Sequence, residues 1–147
     1  MAIKDTTKKP FVQDRDELVF VGIDLPFHRS SGVEGWFAST DTTIKAVKNN
    51  IKNLLLTDKG ERLMQPTLGV AIRKYLFEQF TEEVRISIEN QIVETFRVWL
   101  PFVEVKDIKV DMNRNDNIGN NILNINVLFN IKRDPNTLES VNVTIGE

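Results

Sequence analysis

At 147 residues the chain is long enough to bury one hydrophobic core, and two separate domains are not expected. Its 19 basic and 21 acidic residues leave a formal charge of -2, with no basic cluster that would hold a nucleic-acid backbone or an anionic membrane. Cysteine is absent, which excludes disulfides and thiolate chemistry, and His28 is the single imidazole.

Residues 1–17 are polar and of mixed charge. They carry too few apolar side chains to offset the entropy of ordering them, so a mobile or partner-ordered arm is expected, followed by a single α+β domain over 18–147. The opening "MAIKDTTKKPFVQDRDE" lacks the apolar stretch of a signal peptide, and apolar runs elsewhere fall short of the roughly 20 residues a membrane helix needs. The expected setting is the cytoplasm, or a particle assembled there.

"LVFVGIDLPF" (18–27) reads as a short buried strand closed by Pro26. "HRSSGVEGWFAST" reads as a loop anchored by Trp36 and Phe37. From Asp41 the period becomes helical: Ile44, Val47, Ile51, Leu54 and Leu55 make one stripe, with Thr40 or Asp41 as N-cap and Gly60 as the left-handed terminator. A short helical turn fits 70–77. The strongest helix follows, with Thr81 as N-cap and Glu82 and Glu83 in its first turn. Val84, Ile88, Ile92, Phe96 and Trp99 form its stripe, and Pro101 is the stop.

After Pro101 the period is two. In "FVEVKDIKVDM" (102–112) Val103 and Val105 are out of phase with Ile108, Val110 and Met112, which predicts a bulge near Lys106 and Asp107. Residues 113–121 read as a loop. In 122–131 Leu123, Ile125, Val127, Phe129 and Ile131 alternate with Asn124, Asn126 and Asn130. "KRDPNT" reads as a turn centred on Pro135 and Asn136. A last strand follows with Val141, Val143 and Ile145 in phase. The predicted class is α+β: helices packed on one face of a small, mostly antiparallel sheet, with a C-terminal β-meander.

Catalytic chemistry finds few parts. Glu61, Glu78, Glu82 and Glu83 are near one another in sequence, but no spacing pairs them as a glycosidase needs, and Glu82 and Glu83 already serve a helix start. His28 with Ser30 or Ser31 shows no nucleophile elbow, and neither a metal loop nor a phosphate cradle is present. No catalytic residue, metal or cofactor is expected. Glu61 and Arg62 stand as adjacent charges at a tight turn, where an ion network internal to the chain and a docking role both fit. The strands are more telling. Residues 121–131 and 140–146 contain no charge, although exposed sheet edges usually carry Lys, Glu or Pro. With 122–131 central, the C-terminal strand through Val141, Val143 and Ile145 becomes an edge open to strand addition from another chain.

Taken together, "GIDLPF", "GWFASTDTT", "IKNLLLTDKGERLMQPTLGVAIRKYLFEQFTEE", "IENQIVETFRVWLPFVEVKDIKV" and the closing hairpin resemble the baseplate wedge and sheath-initiator proteins of contractile phage tails. That family has relatives in type VI secretion baseplates, and some members have been labelled lysozymes. The resemblance spans about Leu18 to Ile145. It implies a structural, non-enzymatic subunit of the virion tail baseplate, assembled in the host cytoplasm. The implied partners are other wedge proteins, the tail sheath protein and the tail tube initiator, with neither nucleic acid nor membrane. Many members carry Glu-Pro-Arg, implicated in docking to the wedge helical bundle, where this chain has Leu100, Pro101 and Phe102. Only Pro101 is carried over as a docking residue; either the interface is apolar here, or Leu100 and Phe102 are core. A peptidoglycan-cleaving lysozyme-like enzyme and the equivalent subunit of a type VI or related injection apparatus are the alternatives.

Overall fold

The computed structural model describes residues 22–25, 38–40, 42–115, 120–132 and 134–146. The expected arm at 1–17, most of the strand at 18–27 and the anchors Trp36 and Phe37 lie outside them. The chain divides into two compact units, Met1–Asn49 and Asn50–Glu147, and the division falls inside the first helix.

In the first unit, β1 (Gly22–Ile23) pairs antiparallel with β2 (Ser39–Thr40), Gly22 opposite Thr40 and Ile23 opposite Ser39. The Asp24 amide extends this pairing to the Ala38 carbonyl at 2.9 Å. Asn49, although on the helix, is buried because its side-chain amide donates to the Ile23 carbonyl (3.3 Å) and to Asp24 Oδ1 (3.1 Å). A buried amide so bonded escapes the desolvation penalty that an unpaired one would carry.

Helix α1 spans Thr43–Leu56. Its cap differs from the expectation. Thr40 is already committed to β2 and Asp41 is outside the described residues; it is the Thr42 hydroxyl that accepts from the Lys45 amide at 3.4 Å, three residues on, where an N-cap oxygen belongs. The stripe stands, with Val47, Ile51, Leu54 and Leu55 buried. The terminator also differs. The helix ends at Leu56, and Thr57 closes it by directing both its amide (3.0 Å) and its hydroxyl (2.6 Å) to the Asn53 carbonyl. Gly60 is left-handed as expected (φ 90°), but its role lies within the loop beyond, where its amide donates to the Pro66 carbonyl at 2.8 Å.

That loop returns to its origin. The Val70 amide donates to the Thr57 carbonyl at 3.1 Å, and Gly69 (φ 117°) sits so close to the same carbonyl that a Cβ would lie 2.3 Å from its oxygen. Ala71 is also left-handed (φ 50°), a conformation costing a non-glycine residue about 1 to 2 kcal/mol. A single 3-10 turn, Arg73–Phe77, realises the helical turn expected over 70–77. Its Tyr75 is buried, and the Tyr75 hydroxyl lies 3.0 Å from Ser87 Oγ and donates to Gln91 Oε1 at 3.0 Å, fastening the turn to the next helix.

Helix α2 spans Glu82–Trp99, and the Thr81 hydroxyl accepts from the Val84 amide as expected. Arg85 pairs with Glu82 one turn back. Ile88, Ile92 and Phe96 are fully or almost fully buried, each worth roughly 1.5 to 3 kcal/mol relative to exposure. The helix ends before Pro101, and the Val103 amide donates to the Leu100 carbonyl at 2.9 Å to turn the chain into the sheet.

The sheet is an antiparallel meander of β3 (Val103–Asn115), β4 (Asn120–Ile131) and β5 (Asp134–Ile145), in that order. The predicted bulge is present, with the register of β3 shifting between Val105 and Asp107 so that Lys106 is the extra residue. Two sequence readings are corrected. Of the supposed loop at 113–121, residues 113–115 and 120–121 are strand, since Asn113 pairs with Ile122 and Asn115 with Asn120, and 116–119 lie outside the described residues. Asparagine-rich composition suggests a loop, but here ladder bonds to a well-seated neighbour strand override it. Likewise Pro135 and Asn136 fall within β5, because Ile131 stands opposite Asp134 and so closes the hairpin earlier. The register then shifts between Phe129 and Ile131, a bulge of the kind that lets proline enter a strand.

One face of the meander is apolar: Leu123, Ile125, Val127 and Phe129 of β4 and Val141, Val143 and Ile145 of β5 are buried. Helix α2 packs on β3, and the 3-10 turn touches β4. There Asn121 Nδ2 donates to the Leu76 carbonyl at 2.6 Å, and Gly146 (φ 103°) lies where a Cβ would be 2.2 Å from the Asn121 carbonyl oxygen. The opposite face is polar, with Lys109, Asp111, Ser140, Asn142 and Thr144 exposed. Asn130 departs from its expected outward role: it is buried, and with its amide nitrogen turned to Glu104 it donates to that residue's carbonyl and Oε2, each at 3.1 Å.

Two predictions follow from these contacts. Gly69→Ala adds a Cβ into backbone as well as left-handed strain, and should lower unfolding stability by about 3 to 5 kcal/mol. Gly60→Ala meets open space and should lose only about 1 to 2 kcal/mol from strain; urea titrations of the two variants that gave equal losses would sink this account of the joint. The second concerns Glu104. Lys106 lies 2.9 Å away and lowers its carboxyl pKa by hydrogen bond and charge, aided by the Asn130 amide and the Lys132 charge and opposed by desolvation. A pKa depressed in the fold stabilises above the unfolded value and loses that effect as pH falls through the folded one. Lys106→Ala should therefore be less stable than the parent at about pH 7, and the gap should close below the usual carboxylate range, as urea unfolding at about pH 7 and about pH 3 would measure.

Candidate docking interface

Strand alternation places every second main-chain N–H and C=O of an edge strand away from its neighbour, so each outer strand of the meander presents an unpaired row. The two edges are unlike. β3 carries Glu104, Lys106, Asp107, Lys109 and Asp111 and is broken by the bulge at Lys106. Charge and bulge are the devices that keep an edge from recruiting a strand. β5 has no charge over 140–146, its outward positions being Ser140, Asn142 and Thr144, and among the described residues no strand pairs with its outer edge. The side chains of Val141, Val143 and Ile145 are 2%, 6% and 7% exposed, so what β5 can offer a partner is its main chain.

Pro101 is exposed and lines a groove of about 520 Å³ between α2 and β3. Val93, Phe96, Val103, Val105 and Ile108 supply its apolar lining, and Glu89, Arg97, Glu104, Lys106, Asp107 and Lys132 its charged groups. The two flanking residues differ in burial. Leu100 is core at 7% exposure, whereas Phe102 is 43% exposed and its carbonyl accepts from the Lys132 amide at 3.0 Å.

Glu61 and Arg62 do not bond each other. Glu61 Oε2 accepts from the Asp58 amide at 3.0 Å, and Arg62 donates to Asn53 Oδ1 on α1 at 3.1 Å. Arg62 also lines a pocket of about 140 Å³ with Leu54, Leu68 and Trp99. Both therefore have partners inside their own unit, and both remain exposed. The β5 edge, Pro101 and this charge pair are separate features of one unit.

Of the candidate carboxylates, Glu61, Glu78, Glu82 and Glu83 are all exposed, whereas the general acid of a glycosidase sits in an apolar pocket. Among the described residues no group of His, Asp or Glu is placed to hold a metal ion, and no helix is long and apolar enough to cross a membrane. Sequence reasoning missed the exposed pair Leu63 and Met64 at the end of the loop after α1; two large apolar residues in a run of turn formers and charges were the available signal.

Comparison with known proteins agrees with this architecture. A crystal structure of a protein from Geobacter sulfurreducens that carries the name of a tail lysozyme is similar, with a TM-score of 0.61 and 23% identity over 73% of this chain and 93% of that one. The baseplate of the anti-feeding prophage, seen by cryo-electron microscopy, contains a similar chain, with a TM-score of 0.55 and 20% identity over 83% of this chain and 81% of that one. So does the baseplate complex of the type VI secretion system, with a TM-score of 0.53 and 15% identity over 70% and 92%. Likeness at such identity speaks for a shared fold. No curated protein sequence matches. Residues 42–136, well over half of the chain, match the family described as baseplate wedge protein gp25. This chain therefore belongs to the baseplate wedge protein gp25 family.

Proposed function

We propose that this protein is a non-enzymatic structural subunit of a contractile tail baseplate, set where the wedge meets the tube and the first sheath ring, and that the outer edge of β5 receives a strand from an incoming sheath subunit. The observation that carries this reading is the contrast between the two edges of one sheet: β3 charged and bulged at its middle, and the 140–145 stretch of β5 without charge, regular in register and with no strand on its outer side among the described residues. Main-chain bonding of this kind is tolerant of partner sequence and is made by many groups at once, which suits a joint that must outlast sheath contraction.

In this reading the exposed Pro101, beside its groove, and the Glu61–Arg62 turn face other wedge proteins, and the tail tube initiator is a further neighbour. Residues 1–17 order on an adjacent wedge chain, at the entropic cost of coupled folding. The subunit assembles in the host cytoplasm and ends in the virion tail. Likeness to a chain named as a tail lysozyme raises a second reading, peptidoglycan cleavage, which the exposure of all four candidate carboxylates disfavours. A type VI or related injection apparatus would use the same chemistry in another host context.

Ser140→Lys combined with Asn142→Lys tests the edge. Both positions are exposed, so stability should change by less than about 1 kcal/mol and the variant should still enter baseplates. Charges placed along the receiving edge should nevertheless prevent sheath polymerisation, leaving tube-and-baseplate particles visible by electron microscopy. Sheathed tails at the parental yield would overturn the proposal.

A further inference from the structure

The backbone groups of β5 alternate in a definite phase. The Lys132 amide donates to the Phe102 carbonyl at 3.0 Å, so Lys132 turns its backbone groups toward β3, and alternation along β4 turns those of Leu123, Ile125, Val127 and Phe129 toward β5. Their partners Ile145, Val143, Val141 and Glu139 therefore bond β4, and Ser140, Asn142 and Thr144 aim N–H and C=O away from it. The Thr144 hydroxyl, which donates across the pair to Asn124 Oδ1 at 2.9 Å, agrees, because side chains come closest at pairs that exchange no main-chain bond.

The layer under the sheet treats the two edges differently. An outermost strand has a neighbour on one flank only, so its inner side chains stay partly open unless the layer beneath reaches past them. On β3 three of the five inner side chains, Val105, Ile108 and Met112, are half-buried. On β5 Val141, Val143 and Ile145 are only 2%, 6% and 7% exposed, so the cover extends to that edge or beyond it. A strand added about 4.8 Å farther out lays its inner side chains on the rim of this cover. The apolar bed is short. Glu139, next on the same side, is charged and half-buried, and at the other end Gly146 turns the chain onto Asn121.

We infer that the strand received at β5 is amphipathic, with apolar side chains at the three alternate positions opposite Val141, Val143 and Ile145 and polar ones opposite Ser140, Asn142 and Thr144. This rests on the strand-addition reading above and names the chemistry of its partner. Main-chain bonds tolerate most sequences, but the phase of the outward row decides which side chains of the added strand fall on which face. A slip of one residue would put its apolar side chains in water and its polar ones on the bed. Charge at any of the three inner positions is excluded for the same reason, since it would be carried under the sheet without a partner.

Amide exchange of the full chain, followed by NMR, reads the phase directly. The amides of Ser140, Asn142 and Thr144 should exchange roughly a hundredfold faster than those of Val141, Val143 and Ile145, and the reverse order would overturn the inference. The partner is then read in assembling particles from a benzophenone photo-cross-linker at Asn142, whose exposed side chain stands on the polar face and leaves the main-chain row clear. The cross-linked stretch of the sheath subunit should alternate apolar and polar residues over about five positions. Asp placed at the central apolar position of that stretch should cut the yield of sheathed tails about tenfold or more, and Asp at the adjacent polar position less than about twofold. Equal effects of the two, or a cross-linked sheath stretch without alternation, would overturn the amphipathic partner and leave strand addition standing. Sheathed tails in which Asn142 cross-links to no sheath subunit, or only to a second copy of this chain, would remove both.

Discussion

Among the described residues the main chain of β5 is held on one side only. Toward β4 it is paired from Leu123↔Ile145 through Phe129↔Glu139, and on its inner face Val141, Val143 and Ile145 are buried in the same core as Leu123, Ile125 and Val127. Burial of these three β5 side chains is worth roughly 4 to 9 kcal/mol before the entropy of ordering is charged against it. Strand and core cannot be separated cheaply. An edge so fixed keeps its hydrogen-bonding groups in line while no partner is present, so a strand arriving there orders itself alone.

Position along the chain is controlled at two tight contacts, each made by a glycine that admits the other backbone. Gly69 meets the Thr57 carbonyl where the chain leaves α1, and Gly146 meets the Asn121 carbonyl where β5 ends. Asn121 in turn bonds the carbonyl of Leu76 in the 3-10 turn, and Tyr75 of that turn bonds Ser87 and Gln91 on α2. Six residues, Gly146, Asn121, Leu76, Tyr75, Ser87 and Gln91, thus connect the end of β5, the 3-10 turn and α2. Movement of α2 relative to β5 would have to break hydrogen bonds that are partly buried and costly to leave unmade. The unit is suited to transmitting position from its helical part to its edge.

Local and tertiary causes divide what could be read from the sequence. The Thr81 cap, the stripe of α2, the bulge at Lys106 and the alternation of β4 are stated by neighbouring residues, and each is present. The misread features depend on partners distant in sequence. Gly60 reads as a helix terminator because it follows the last apolar turn; α1 instead closes at Thr57, whose amide and hydroxyl bond the Asn53 carbonyl, and Gly60 answers to Pro66. Residues 113–121 have loop composition, yet pairing along β3 and β4 extends through Asn115 and Asn120. Ala71 gives no local sign of a positive φ, which is imposed by the seating of Gly69 and Val70 on Thr57. Of the candidate docking residues, the uncharged stretch 140–146 was legible as composition and its place at an edge followed from a central 122–131, with which the strand order agrees. Leu63 and Met64 stand out only by their exposure.

An uncharged edge is also a hazard, because a second copy of the chain could pair with it as readily as a proper partner. Three features limit that outcome. The register shift in β5 between the partners of Phe129 and Ile131 breaks the regular ladder near the start of the strand, where Pro135 also removes a donor, so the regular ladder runs only from Glu139 to Ile145. Gly146, pressed on Asn121, ends it at the other side. The outward positions Ser140, Asn142 and Thr144 supply hydrogen bonds rather than apolar area, and Thr144 already bonds Asn124 at 2.9 Å. Two such short ribbons meeting edge to edge gain main-chain bonds whose net worth in water is small, and bury little apolar surface between them. A partner that also brings a covering face gains both, and it is that added burial which separates the intended strand from a stray one.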